Sequence, residues 1–139
     1  MRFFLISLIG QGVFVSVFNY ASFRLMNQLG LSESQVGLVF LLYLFGTYTS
    51  ARAGFIAERF GRGRTLAAGA TGMAIAVALL APAQLWSIVI GIGLFTGSFF
   101  LVHSTSSAWV SVASPHPAQA SSMYMFAFYV GSSAVGWAT

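Results

Sequence analysis

There is no cysteine among the 139 residues. Disulfides and thiolate metal sites are therefore excluded, and the redox compartment leaves no mark on the sequence. Charge is almost as scarce: 6% of the chain is charged, against about 25% in a soluble domain. All six basic residues are arginines and both acids are glutamates, for a formal net charge of +4. That balance does not indicate nucleic acid, because no basic face interleaved with polar residues accompanies it. Proline is confined to Pro82, Pro115 and Pro117. There is no Gly-x-Ser-x-Gly nucleophile turn, no phosphate loop and no pair of neighbouring carboxylates, so neither an enzyme nor a cofactor is expected. His103 and His116 are too far apart to make a metal motif by themselves.

What fills the chain instead is apolar. Hydrophobic residues make up 58% and aromatic ones 16%, with a mean hydropathy of +0.85. This is the composition of an integral membrane protein. The pattern predicts an all-α fold, one membrane domain over residues 1–139 with five transmembrane helices at about 3–22, 36–53, 65–81, 85–103 and 119–138. Segments of roughly 20 residues suit a hydrocarbon core of about 30 Å. Met1-Arg2 before an apolar run imitates a signal peptide, but the run is long for one and no small-x-small site follows cleanly. A retained helix is expected.

Polar residues within these segments fall in stripes. Gly12, Ser16, Asn19 and Phe23 share one face of the first helix, and Tyr43, Thr47, Ser50 and Gly54 one face of the second. In the fifth, Tyr124, Phe128 and Ser132 share a face, with Tyr129, Ser133 and Gly136 beside it. Two readings stand for each stripe: a packing seam, or the wall of a polar path. Ala68, Gly72 and Ala76 in the third helix and Gly93 and Gly97 in the fourth read as small-residue seams. Ser32 and Gln35 have capping-box spacing and start the second helix. Arg24 is expected to snorkel to the membrane surface. His103 is expected near the inner end of the fourth helix, before a loop at about 104–118.

The densest charge lies in Gly54-Phe-Ile-Ala-Glu-Arg-Phe-Gly-Arg-Gly-Arg-Thr-Leu66, read as a short loop between the second and third helices. Glu58, Arg59, Arg62 and Arg64 crowd here, with Arg52 just before. Glu58 is expected at a helix N-terminus, where the dipole favours an anion. The order resembles the signature loop of the major facilitator superfamily, G-x-[LI]-[AG]-[DE]-R-x-G-R-[KR]-x-x-L. Gly54, Ile56, Ala57, Glu58, Arg59, Gly61, Arg62 and Leu66 match. Glu58 replaces the commoner aspartate, and Gly63 stands where a basic residue is usual, with Arg64 one place later.

The resemblance implies a partial fold: one half of a secondary transporter lacking its last helix, similar to helices seven to eleven, the second half, of a bacterial efflux permease. It implies efflux of small organic solutes by alternating access with proton coupling. The partners are then the lipid bilayer, the solute, protons and the helices of the other half. Gly54, Glu58, Arg59, Gly61, Arg62 and Arg64 form a latch. Gly12, Ser16, Asn19, Tyr43, Thr47, Tyr124, Phe128 and Ser132 are candidates for the solute path. Arginine asymmetry puts Arg2, Arg52, Arg59, Arg62 and Arg64 in the cytoplasm of a bacterial inner membrane protein, and the N-terminus with them. No acid is expected at mid-membrane, so the proton site is expected in the other half. A non-transporting bundle that scaffolds or regulates a partner is the alternative of a different class.

Overall fold

The computed structural model describes residues 2–138. The outermost residues of the expected domain, and the side chain of Arg2 that entered the arginine count, lie outside the described residues. Helix α1 spans Arg2–Asn27, beyond the expected end at 22. Nothing in Phe23–Asn27 breaks a helix. The end comes at Gly30, whose φ of +65° lets the Leu31 N–H turn back to the Leu25 carbonyl at 3.0 Å.

Helix α2 spans Glu33–Phe40 and opens with the expected capping box: Ser32 accepts from the Gln35 N–H while the Gln35 side chain accepts from the Ser32 N–H. After a tight turn at Leu41–Leu42, α3 runs over Tyr43–Phe60. The two make one 28-residue span, Glu33–Phe60. The expected end at 53 is corrected: Gly54 is tolerated within the helix, Ala, Arg and Glu around it are strong helix formers, and α3 stops only at Gly61.

Helix α4 covers Arg62–Leu79, and α5 covers Leu85–Ala113. The expected loop at 104–118 is therefore mostly helix, and only Ser114–His116 connects α5 to α6 at Pro117–Ala138. The serines from Ser104 onward lower helix propensity, but packing overrides them. Ser104 meets Ser50 of α3 at 2.5 Å, and Val110 is buried with Ala120 and Tyr124. Pro117 takes the first helical position, where its missing N–H costs nothing.

Helix α5 is the centre of the bundle. α3 and α4 pack closely along it, and the closely paired α1 and α6 also lie against it. Phe14, Ala76, Phe95 and Phe99 fill one buried cluster. Ala21, Leu25, Val36, Leu80, Ile88 and Ile92 fill another. Close approach depends on glycines. A β-carbon on Gly131 would run into the Leu8 carbonyl, and one on Gly72 into the Ser98 hydroxyl. The seam of α4 on α5 runs through Gly69, Gly72 and Ala76 rather than Ala68, which is exposed. Counting α2 and α3 together, five spans result, with no strand among the described residues. Three spans are long and apolar enough to cross a membrane by length and composition alone. Leu38, Phe126 and Trp137 are exposed at 65%, 71% and 92%, an outer surface suited to lipid rather than water.

Candidate functional site

The charged signature is a junction, not a loop. α3 continues through Glu58 and Arg59 to Phe60, α4 begins at Arg62, and Gly61 alone separates them. Its backbone, φ 89° and ψ 142°, suits glycine and little else. The Gly61 N–H closes α3 on the Ala57 carbonyl at 3.0 Å. Its own carbonyl accepts from the Thr65 N–H at 3.0 Å and the Thr65 hydroxyl at 2.9 Å. The expected place of Glu58 is corrected: it stands in the last turn of α3, at the negative end of the dipole, because α3 does not stop before it. Glu58, Arg59, Arg62 and Arg64 are all exposed, and among the described residues no ion pair joins them. Arg59 lies over the Phe60 ring at 5.6 Å and Arg52 over Tyr48 at 5.4 Å.

At the other end of α4, Arg24 overturns the snorkelling expectation. It is 6% exposed. One terminal nitrogen donates to the Leu80 carbonyl and, at 2.9 Å, to the Ala81 carbonyl, while Nε donates to Gln28 at 2.7 Å. Ser87 of α5 donates to the Leu79 carbonyl at 2.5 Å. Helix ends leave carbonyls without partners, and a cation is favoured at a C-terminus. Pro82, which stops α4, and Gln28, one turn after Arg24, were the available signals.

Between these ends, aromatic rings run from α2 to α6. Phe14 and Phe18 of α1 meet Phe40 and Tyr43, and Tyr43 meets Phe100 at 5.1 Å. Phe99 leads on to His103 at 5.9 Å, and His103 to Phe128 at 4.7 Å. The Tyr124 hydroxyl lies 3.2 Å from His103 Nδ1, with donor and acceptor set by the tautomer. Ser7 donates to the Tyr124 carbonyl at 2.9 Å. His103 is thus not at a helix end: α5 continues through Ala113, which puts the imidazole roughly 15 Å from that terminus. A cavity of about 320 Å³ opens beside it, lined by Ser7, Gly10, Met73, Phe99 and Tyr124 among others. The carboxamide oxygen of Gln11, on the same buried side of α1, has no hydrogen-bond partner among the described residues.

The expected path residues divide. Tyr43, Tyr124 and Phe128 join this aromatic series. Gly12 packs against Val135 and the Gly131 carbonyl, and Ser16 lines a second cavity of about 360 Å³ between α1 and α4. Asn19 and Thr47 are exposed, Ser132 half-buried and Gly54 exposed on α3. Ser7, Gln11 and His103 were missed as partners. The buried face of α1 follows Ser7, Gln11, Phe14 and Phe18, beside the stripe chosen for its small residues.

The sugar (and other) transporter family matches residues 2–137. The chain belongs to it. Relatives agree across nearly its full length. An uncharacterized transporter of Buchnera aphidicola subsp. Baizongia pistaciae is 35% identical over 137 residues, which is 97% of this chain and 34% of that protein. The inner membrane transport protein YnfM of Escherichia coli K12 is 39% identical, over 91% of this chain and 31% of that protein. The uncharacterized MFS-type transporter YybF of Bacillus subtilis 168 is 34% identical, over 96% and 33%. This major facilitator chain thus spans about a third of the length of the curated relatives it matches. No solved structure matches it significantly.

Proposed function

We propose that the chain forms five helices of the second half of a secondary transporter, exporting small organic solutes by alternating access with proton coupling. The observation that carries this reading is the Gly61 junction, with one acid and three arginines exposed and without ion pairs among the described residues, where a surface from elsewhere in the transporter can meet them. The aromatic series from Tyr43 through Phe100 and His103 to Phe128 offers ring faces and few hydrogen-bonding groups, which suits uncharged organic solutes better than polyols. In this reading Gly12, Ser16, Asn19, Thr47 and Ser132 serve packing and the edges of the path, while Tyr43, Tyr124 and Phe128 touch the solute. The junction faces the cytoplasm of the inner membrane, with the N-terminus on the same side.

The test uses the gene's complete product in lipid vesicles carrying an outward or inward proton gradient. Uptake of a neutral naphthalene-type fluorophore should follow the gradient and fall at least tenfold in Tyr124→Ala or Phe128→Ala. This chain alone should move nothing above empty vesicles. Gradient-independent movement, or none at all with the complete product correctly inserted, refutes coupled export. Cysteines at Gly63 and Ala83 should label from opposite sides, and same-side labelling removes the orientation.

A further inference from the structure

The second span changes its hydrogen bonding part-way along. The Leu41 N–H bonds to the Leu38 carbonyl and the Leu42 N–H to Val39, each at 3.1 Å; Leu44 bonds to Leu41 and Phe45 to Leu42, each at 3.0 Å. These are i to i+3 bonds. Leu41 at φ −60°, ψ −21° and Leu42 at φ −59°, ψ −17° have 3₁₀ backbone. Neither proline nor glycine occupies the turn, so no local breaker imposes it.

Side-chain contacts supply the cause. In a 3₁₀ turn, residues i and i+3 eclipse, which brings Phe40 and Tyr43 into line. Both close on Phe18 of α1, Phe40 stacked at 5.3 Å and Tyr43 edge-on at 6.3 Å. Relaxation to an α-helix would rotate the two rings about 60° apart, so they would no longer meet Phe18 in line as they do here.

Packing differs sharply on the two sides of the turn. α3 is seated on α5: Gly46 is buried beneath Phe100 and Thr96, the Phe45 ring lies on Gly97, and Ser50 meets Ser104. α2 buries only Val36, while Glu33, Ser34, Gln35, Gly37 and Leu38 are exposed. One side of the span is seated along its length, and the other is held by Val36, by the half-buried Val39 and Phe40 against the same cluster, and by the ring stack.

We propose that Leu41–Leu42 is a hinge on which α2 swings as a flap, held closed by the stacking of Phe40 and Tyr43 on Phe18. The closed state has the 3₁₀ turn. In the open state the turn is α-helical, Phe40 leaves Phe18, and Tyr43 stays with Phe100 on the α5 side. Swinging α2 away uncovers the face of Phe18 that Phe40 covers in the closed state. A two-state element of this kind is what a ligand needs in order to shift a conformational population.

The chain has no cysteine, so paired spin labels can be placed without background. One pair, at Ser34 and Phe55, reads the bend of the second span. A control pair, at Phe55 and Trp86, reads α3 against α5. In lipid nanodiscs the control should give one narrow distance. The Ser34–Phe55 pair should give two, and Phe18→Ala should raise the second population at least threefold. Phe40→Leu, which leaves α1 and its core contacts intact, should do the same and keeps the test open if Phe18→Ala disturbs the fold and broadens the control. A Ser34–Phe55 distribution as narrow as the control, or one that Phe40→Leu leaves unchanged, overturns the hinge and its clasp.

Discussion

The two ends of α4 solve the same problem by opposite means. At its start, Gly61 joins it to α3 amid Glu58, Arg59, Arg62 and Arg64, all exposed and without ion pairs among the described residues. At its finish, Arg24 alone, buried, serves two carbonyls while Ser87 serves a third. The first end holds most of the charge and the second most of the grip. Exposed charges in water gain little from one another, whereas charge-assisted hydrogen bonds shielded from water are among the stronger ones. The charged end is therefore free to form and lose contacts. The clamped end ties α1, α4 and α5 into one piece.

Removing the clamp should have the largest effect. Arg24→Met keeps much of the side-chain volume and deletes every donor. Hydrogen bonds to charged groups contribute about 1.5–3 kcal/mol each, and the Leu80 carbonyl that is freed is buried. A loss on the order of 3 kcal/mol is expected in detergent-titration unfolding followed by helical circular dichroism. Arg24→Lys should recover only part of it, because one ammonium cannot reach Gln28 and both carbonyls as a planar fork does. If Arg24→Met unfolds with the wild-type midpoint, the two ends of α4 do not differ in the way the hydrogen bonds indicate.

Next come the glycines. Gly131→Ala drives a β-carbon into the Leu8 backbone, which cannot rotate away as a side chain can. Overpacking of this kind costs about 1–3 kcal/mol, and it should appear as separation of α1 from α6 in a cross-linking assay. Gly61→Ala meets no neighbouring atom and is strained only through its backbone, by about 1–3 kcal/mol. Its loss should be local, concentrated in α3 and α4 and seen as faster amide exchange from Ala57 to Thr65, with the α1–α6 cross-link unchanged. Loss of that cross-link in Gly61→Ala as well would mean that the junction is not the separate, loosely packed end described here.

How much of this the sequence carried depended on what kind of force was at work. Hydropathy is local and cumulative, so the five spans and their order were legible. The capping box was legible because both of its partners lie within one turn. The helix ends were not, at 53 and again at 103: Gly54 is absorbed into α3 at modest cost, and nothing past 103 forces a stop before Pro115. Ser104 to Ala113 look like a loop by composition and are helical because α3 and α6 pack against them. Arg24 was misread for a related reason: snorkelling is the default for an arginine near a span's end, and the carbonyls that hold it belong to a helix more than fifty positions away. The path candidates show the same limit. Tyr43, Tyr124 and Phe128 come together, but only the fold reveals that His103 stands among them.

The smallest effect on stability, and the most telling on function, is expected at Glu58. It is exposed in the last turn of α3, where the helix dipole disfavours an anion. Nothing in the stability of this chain calls for a carboxylate there, so Glu58→Gln should leave the unfolding midpoint unchanged. In the complete transporter the same change should slow transport several-fold while solute affinity stays within twofold of wild type. In the proposed export cycle, an acid without an ion pair among the described residues gains a partner only when another surface closes on the junction, in one conformational state and not the other. Removing its charge then alters the balance between states, and a ligand's intrinsic contacts with its own site are untouched. Transport rate and equilibrium binding measured on one vesicle preparation separate the two effects. Loss of affinity in step with loss of rate would place Glu58 in the binding site, and no loss of either would leave the charged end of α4 with a role in orientation alone.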